Sequence, residues 1–191
     1  MDVFEAIRSR RSIGRVGPEE VTPEDTDAIL ESAVHAPNHR ITEPWRFHVF
    51  TGKGRGELAK VRAEIAASLA EAEGEEPELV GGRISRERKK AFRAPLVIGV
   101  VSKAGRDEVE TMENYAACSA AVQNMQLTAH ALGLGSIWRT GPSAYHEKMR
   151  HFLGLEAGGR VVAFLYVGRS EMPQTRRRRK PAEDFAVRHE G

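Results

Sequence analysis

The sequence predicts an α+β fold, a mixed central β-sheet wrapped by helices. Three observations carry that prediction. Two strand-sized runs, Pro95–Val101, continuously apolar, and Arg160–Val167, apolar after its leading arginine, have the pattern of strands covered on both faces. The stretch Glu113–Leu132 is rich in Ala, Met, Val and Leu around most of a helical circumference, which marks a central, buried helix. Helical segments outnumber strands, and only the connections leaving Val101 and Thr140 read as helical crossovers, so a regular Rossmann alternation fits less well.

The elements follow in order. Asp2 caps a first helix that runs to about Arg10. Thr22-Pro23-Glu24-Asp25 reads as N-cap, proline at the first helical position and early acids, launching a second helix towards Ala36, where Pro37 ends it. Residues 38–44 form a loop, and Trp45–Thr51 has strand composition. Gly52, Gly54 and Gly56 mark a turn before a charged helix to about Glu73, and a further helix covers Glu78–Arg93. After the long central helix, Gly133-Leu134-Gly135 acts as a stop, Ser136–Thr140 is a short strand, and Ser143 caps a helix through Leu153.

At 191 residues and 40% apolar content the chain supports one domain over residues 1–170, with a basic tail at 171–191. No segment approaches the ~20 apolar residues of a membrane span, and the N-terminus carries no apolar run of signal-peptide kind. The single cysteine, Cys118, lies in an apolar stretch and has no internal partner, which points to a buried thiol and a reducing, cytoplasmic setting. The net charge of +2 resides in the tail, leaving a nearly neutral body and no global electrostatic argument for a nucleic-acid partner.

Several motifs bear on chemistry. Arg10-Arg11-Ser12, where the first helix gives way to loop, gathers two planar guanidiniums and a hydroxyl able to hold a phosphate; the plainer reading is a basic helix end. Trp138-Arg139-Thr140-Gly141 ends a strand with a ring that packs on planar groups and two donors; the plainer reading is a core tryptophan beside an outward arginine. His35 and His39 are four apart, but Pro37 between them argues against a shared helical face and a metal pair. Contact of one or both with a polar ligand at the loop is the better use; the plainer reading is an exposed histidine. His146 and His151 are five apart, about 140° around a helix, and do not face one zinc. Gly52-Lys53-Gly54-Arg55-Gly56 matches neither nucleotide-loop pattern. The run Arg176–Lys180 lacks interleaved aromatics for bases and reads as a solvated arm or one lying on an acidic surface. No nucleophile set stands out, which suits an enzyme whose cofactor carries the reaction.

In ordered combination these residues resemble the nitroreductase family, in its short YdjA-like bacterial branch. The resemblance runs through Arg10-Arg11-Ser12, Ala36-Pro37-Asn38-His39, Pro44-Trp45-Arg46-Phe47, Ala94–Ile98, Ala131–Gly135, Ile137–Gly141 and Phe164–Gly168. It implies a sandwich fold, an intertwined homodimer, and FMN bound at the subunit interface. By the same resemblance Arg10, Arg11 and Ser12 hold the phosphate and ribityl chain, joined by Trp138, Arg139 and Thr140 of the same subunit and by His35 and His39 of the other. The helix end Thr128-Ala129-His130-Ala131-Leu132-Gly133 matches a segment associated with NAD(P). The implied activity is hydride transfer from NADH or NADPH, through FMN, to a nitroaromatic, a quinone or a similar small acceptor in ping-pong fashion. The rival readings are a protein that holds or remodels FMN without NAD(P)H turnover, and a nucleic-acid binder using the basic arm. Two departures stand out: Ile41 and Glu43 occupy the loop where the wider family often has Asn and Gln, and Gly14, followed by Arg15, stands where an arginine is common.

Overall fold

A computed structural model of the chain describes residues 1–173 and 179–189. The order along the chain is α1 (Val3–Ser9), α2 (Pro23–Val34), β1 (Trp45–Phe50), α3 (Gly54–Glu73), α4 (Pro77–Lys90), β2 (Leu96–Ser102), α5 (Glu108–Ala131), β3 (Leu134–Arg139), α6 (Pro142–Tyr145), α7 (Glu147–Phe152) and β4 (Arg160–Arg169). Single 3-10 turns lie at His39–Ile41 and Ala182–Asp184.

The caps explain the helix starts. Asp2 accepts from the Glu5 amide at 2.9 Å, and Thr22 accepts from the Asp25 amide at 3.1 Å ahead of Pro23. The central helix begins earlier than its apolar stretch, at Glu108, because Asp107 caps it and two acids fill its first turn. The single helix expected from Ser143 to Leu153 is broken: His146 is extended and its Nδ1 accepts from the Lys148 amide, starting α7 afresh. Gly54 and Gly56, expected in a turn, lie within the first turn of α3.

The strands align in the order β1-β2-β4-β3, and all three neighbouring pairs are antiparallel. The mixed sheet expected from the sequence is thus an antiparallel one; among the described residues, parallel pairing enters only through an isolated bridge between Ser12 and Ser136. The crossover after Val101 is present, since α5 joins β2 to β3 in the same direction. β4 returns between those two strands, so neither finds a parallel neighbour. The connection after Thr140 joins antiparallel neighbours and is no crossover.

Both faces of the sheet are covered, which is why β2 and β4 are apolar throughout. One face packs Leu96, Ile98, Leu165 and Val167 against Ile29 and Ala33 of α2 and Cys118, Val122 and Met125 of α5. The other packs Val97, Phe164 and Tyr166 against Leu58 and Ile65 of α3 and Met149 of α7. A bulge opens where Val100 pairs with Ala163 but Val101 with Val161, leaving Val162 unmatched on β2. The Trp138 indole N–H donates to the Val162 carbonyl at 3.1 Å, so the bulge fixes the tryptophan at the end of β3. Among the described residues no helix is long and apolar enough to cross a membrane.

Candidate functional site

β3 is flanked on its outer side by the segment after α1. The Ile13 amide donates to the Ser136 carbonyl at 2.9 Å, and the Gly17 amide to the Arg169 carbonyl at 2.8 Å. Gly135 permits this approach: a Cβ there would stand 2.8 Å from Ile13 Cγ2. The sequence thereby brings Arg10-Arg11-Ser12 against the start of the strand that carries Trp138-Arg139-Thr140.

A cavity of about 200 Å³ opens at this junction, lined by Ser9, Arg10, Arg11, Ile13, His130, Gly133–Ser136 and Ser170, with Met1 beside them. No described acidic side chain lines it. Arg10 Nη1 is buried there without a hydrogen-bond partner among the described residues. Burial depresses the Arg10 pKa, and the nearby charges of Arg179 and Arg11 depress it further. Arg11 Nη1 donates to the carbonyls of Arg8 and Arg10, at 2.6 and 2.8 Å. A buried guanidinium nitrogen with no acceptor among the described residues, held among like charges, fits an anionic ligand.

At the other end of β3, ~17 Å along for five strand steps, a cavity of about 280 Å³ is lined by Arg62, Lys90, Arg93, Trp138, Arg139, Thr140, Phe164 and Tyr166. Glu87 neutralises part of this cluster, paired with Arg62 at 2.7 Å and with Lys90, and accepting from Ser143. The side chains of Arg93 and Arg139 make no hydrogen bond or ion pair among the described residues, so the cavity is cationic. Arg139 Nη2 lies 3.6 Å from where a Gly14 Cβ would stand, so a strand guanidinium fills the space beside the position where the wider family often carries arginine. Burial raises the Tyr166 pKa, opposed by Arg62, Arg93 and Arg139. The Trp138 indole packs against the α5 side of the core, so its N–H is already committed and is not available to a ligand.

His35 and His39 stand elsewhere. His35 is exposed and pairs with Glu31 at 3.2 Å; the His39 ring, through Nδ1, pairs with Glu113 at 2.7 Å near the start of α5. Ser9, beside Arg10, is bonded to His130 near the end of α5. The seventeen residues from Glu113 to His130 span about 26 Å of helix, so one protomer does not bring His39 to the Arg10 cavity. The His39 loop is strained: Arg40, Ile41 and Glu43 have positive φ of 54°, 54° and 40°. Of the helix end Thr128–Gly133, His130 and Gly133 line the first cavity and Gly133 turns the chain at φ 78°, whereas Ala129 is buried in the core. Sequence reasoning did not single out Lys90, Arg93 or Arg62, and it read Arg179 only as part of the basic arm, whereas the Arg179 charge acts on Arg10. The basic runs around 88–93 and 176–180 were the available signal. Of the second run, Arg176, Arg177 and Arg178 lie outside the described residues.

Fold and site together define a class that comparison with known proteins makes specific. The sequence matches the nitroreductase family over residues 7–169, and the chain belongs to that family. It is 33% identical over 173 residues to YdjA of Escherichia coli (strain K12), a provisionally named NAD(P)H nitroreductase, with 90% of each chain covered. Its fold superposes on a crystal structure of a nitroreductase-like family protein from Bacillus cereus with a TM-score of 0.86 at 26% identity, covering 100% and 97% of the two chains. A provisionally named nitroreductase from Desulfovibrio desulfuricans, crystallised in complex with FMN, superposes with a TM-score of 0.67 at 28% identity over 100% and 99%. The protein is accordingly an oxidoreductase of this family.

Proposed function

We propose that the chain is an FMN-dependent NAD(P)H oxidoreductase that reduces small nitroaromatic, quinone or similar acceptors in two half-reactions, as a cytoplasmic homodimer. The observation that carries this reading is the unsatisfied Arg10 Nη1 in a cavity free of described acids, with Arg11 and Arg179 adding positive potential. A phosphate monoester supplies the missing acceptor oxygens and neutralises the repulsion. FMN, when bound, would take a hydride from NAD(P)H and deliver it to the acceptor.

The chain's own residues divide the remaining work. Arg10, Arg11 and the backbone about Ser12 grip the phosphate, while Arg139 and Thr140 offer donors at the far end of β3. Arg62, Lys90, Arg93 and Arg139 keep that end positive, favouring the electron-rich state of a planar group resting there. The turn at Gly133 leaves Ala131 and Leu132 exposed beside the first cavity, where the nicotinamide nucleotide would approach.

The same geometry supports dimerisation. His39 would reach the Arg10 end of such a site from a second copy, given the ~26 Å that α5 places between its Glu113 partner and His130 within one chain, and His35 would come with it. A twofold partner with α5 antiparallel would superpose the two helix ends. Val3, Phe4 and Ile7 of α1 and Val109 and Met112 of α5 are all at least 55% exposed, apolar surface that a partner would cover.

The test begins with the visible spectrum of purified protein and identification of the released chromophore. Anaerobic NADH or NADPH should then bleach the flavin, and a nitroaromatic or quinone should restore it. Colour that persists with both nucleotides would leave a flavin-holding protein and remove the reductase reading.

A further inference from the structure

We infer that His130 is a proton-carrying ligand of the phosphate cavity, making that site bind a phosphate monoester more tightly as pH falls. The inference rests on the flavin reading above, and the phosphate is taken to be that of FMN.

His130 lines the same cavity as Arg10 and Arg11. Its tautomer is set by the local bonds. Ser9 Oγ donates to the Glu5 carbonyl at 2.7 Å, so in its 2.7 Å contact with His130 the hydroxyl accepts and Nε2–H donates. Nδ1 of the neutral ring is then the free position, and protonation there adds a second donor and a charge. The ring, on α5, is bonded to Ser9 at the end of the helix that delivers Arg10, which ties it to the phosphate-gripping segment.

The groups that face it set the sign. In the free protein burial depresses the His130 pKa, Arg10 and then Arg11 lower it further, and Glu5 opposes them. The Met1 end of the chain also lines the cavity. A phosphate that neutralises Arg10 and Arg11 removes two of the depressing charges and supplies an attractive one. The bound-state pKa therefore lies above the free value, a proton is taken up with the ligand, and affinity falls as pH rises through the bound-state pKa. Each unit between the two values is about tenfold in affinity. The phosphate's own second ionisation, near 6, works in the opposite direction. Removing His130 should therefore reverse or abolish the slope rather than merely lower the affinity.

The experiment measures binding by flavin fluorescence quenching from about pH 5.5 to 8 for the apoprotein and His130→Gln, with FMN and with riboflavin, which lacks the phosphate. The His130 ring is followed in parallel by NMR titration of the wild type, before and after FMN and again after NADP⁺ is added to FMN-loaded protein. The expected result is FMN affinity that weakens severalfold with rising pH in the wild type and not in His130→Gln, no such slope for riboflavin, and a His130 pKa that rises on FMN binding. An unchanged His130 titration, or a wild-type slope retained in His130→Gln, overturns the inference. A pKa that responds to NADP⁺ and not to FMN reassigns the residue to the nicotinamide nucleotide and overturns it equally. Failure of FMN to bind at any pH defeats instead the flavin reading on which it rests.

Discussion

Replacing Arg10 by methionine should weaken flavin binding while leaving the flavin-free protein as stable as before, or more so. In the free protein the guanidinium has one buried nitrogen without an acceptor among the described residues and two like-charged neighbours, Arg179 and Arg11. A buried unsatisfied donor costs on the order of 1–3 kcal/mol, and methionine keeps most of the apolar stem without it. For a chain of this size each kcal/mol recovered raises Tm by ~2–4 °C. With FMN present the balance inverts, because a charge-assisted bond of about 1.5–3 kcal/mol is lost, roughly a 10- to 150-fold rise in Kd. Calorimetry of the flavin-free variant and a fluorescence titration with FMN read the two effects separately. An Arg10→Met protein that melts well below the wild type yet binds FMN normally would refute the reasoning, since Arg10 would then be a structural residue.

Mixing two variants, at an FMN concentration too low to fill either one alone, tests the shared site. A dimer pairing an Arg10→Met chain with a His39→Ala chain has one site with both residues intact, so scrambled subunits should recover about a quarter of wild-type turnover; no recovery would place both residues on one chain's site. Ile41, β-branched at φ 54° and 81% exposed, should be improved by Ile41→Asn, with stability rising by about 1 kcal/mol in chemical denaturation. Burial raises the Glu87 pKa, but Lys90 and Arg62 outweigh that and leave it below the usual carboxylate value. Its contribution is therefore complete above the unfolded pKa of about 4.3 and lost as pH falls through the depressed folded value. Glu87→Gln should cost ~3 kcal/mol at neutral pH and flatten the acid side of the stability curve. Burial pushes the Cys118 thiol up to about 11, so iodoacetamide at mildly alkaline pH should label it only after denaturant is added; rapid labelling of folded protein would contradict its burial.

Much of this fold could be read from residue order because its signals are local. Thr22-Pro23 and Asp2 announced helix starts that the caps realise, and the apolar runs at 95–101 and 160–167 became the two central strands. The start of α5 was hidden because its first turn is acidic, and the break at His146 because an imidazole cap has no strong sequence mark. Strand order was illegible for a different reason. That β4 inserts between β2 and β3 is a pairing between distant segments, decided by burial of both sheet faces. The candidate site divides in the same way: Arg10-Arg11-Ser12 and Trp138-Arg139-Thr140 form recognisable clusters, while Arg62, Lys90, Arg93 and Arg179 meet them only in three dimensions.

The close seating of residues 12–17 on β3 and the end of β4 has a consequence for handling the molecule. The outermost strand would otherwise present open amides and carbonyls to any passing chain, and the segment that masks them also bears the guanidiniums. Trimming the amino terminus would strip the anion grip and bare a self-adhesive rim at one stroke, so lost colour and aggregation should arrive together.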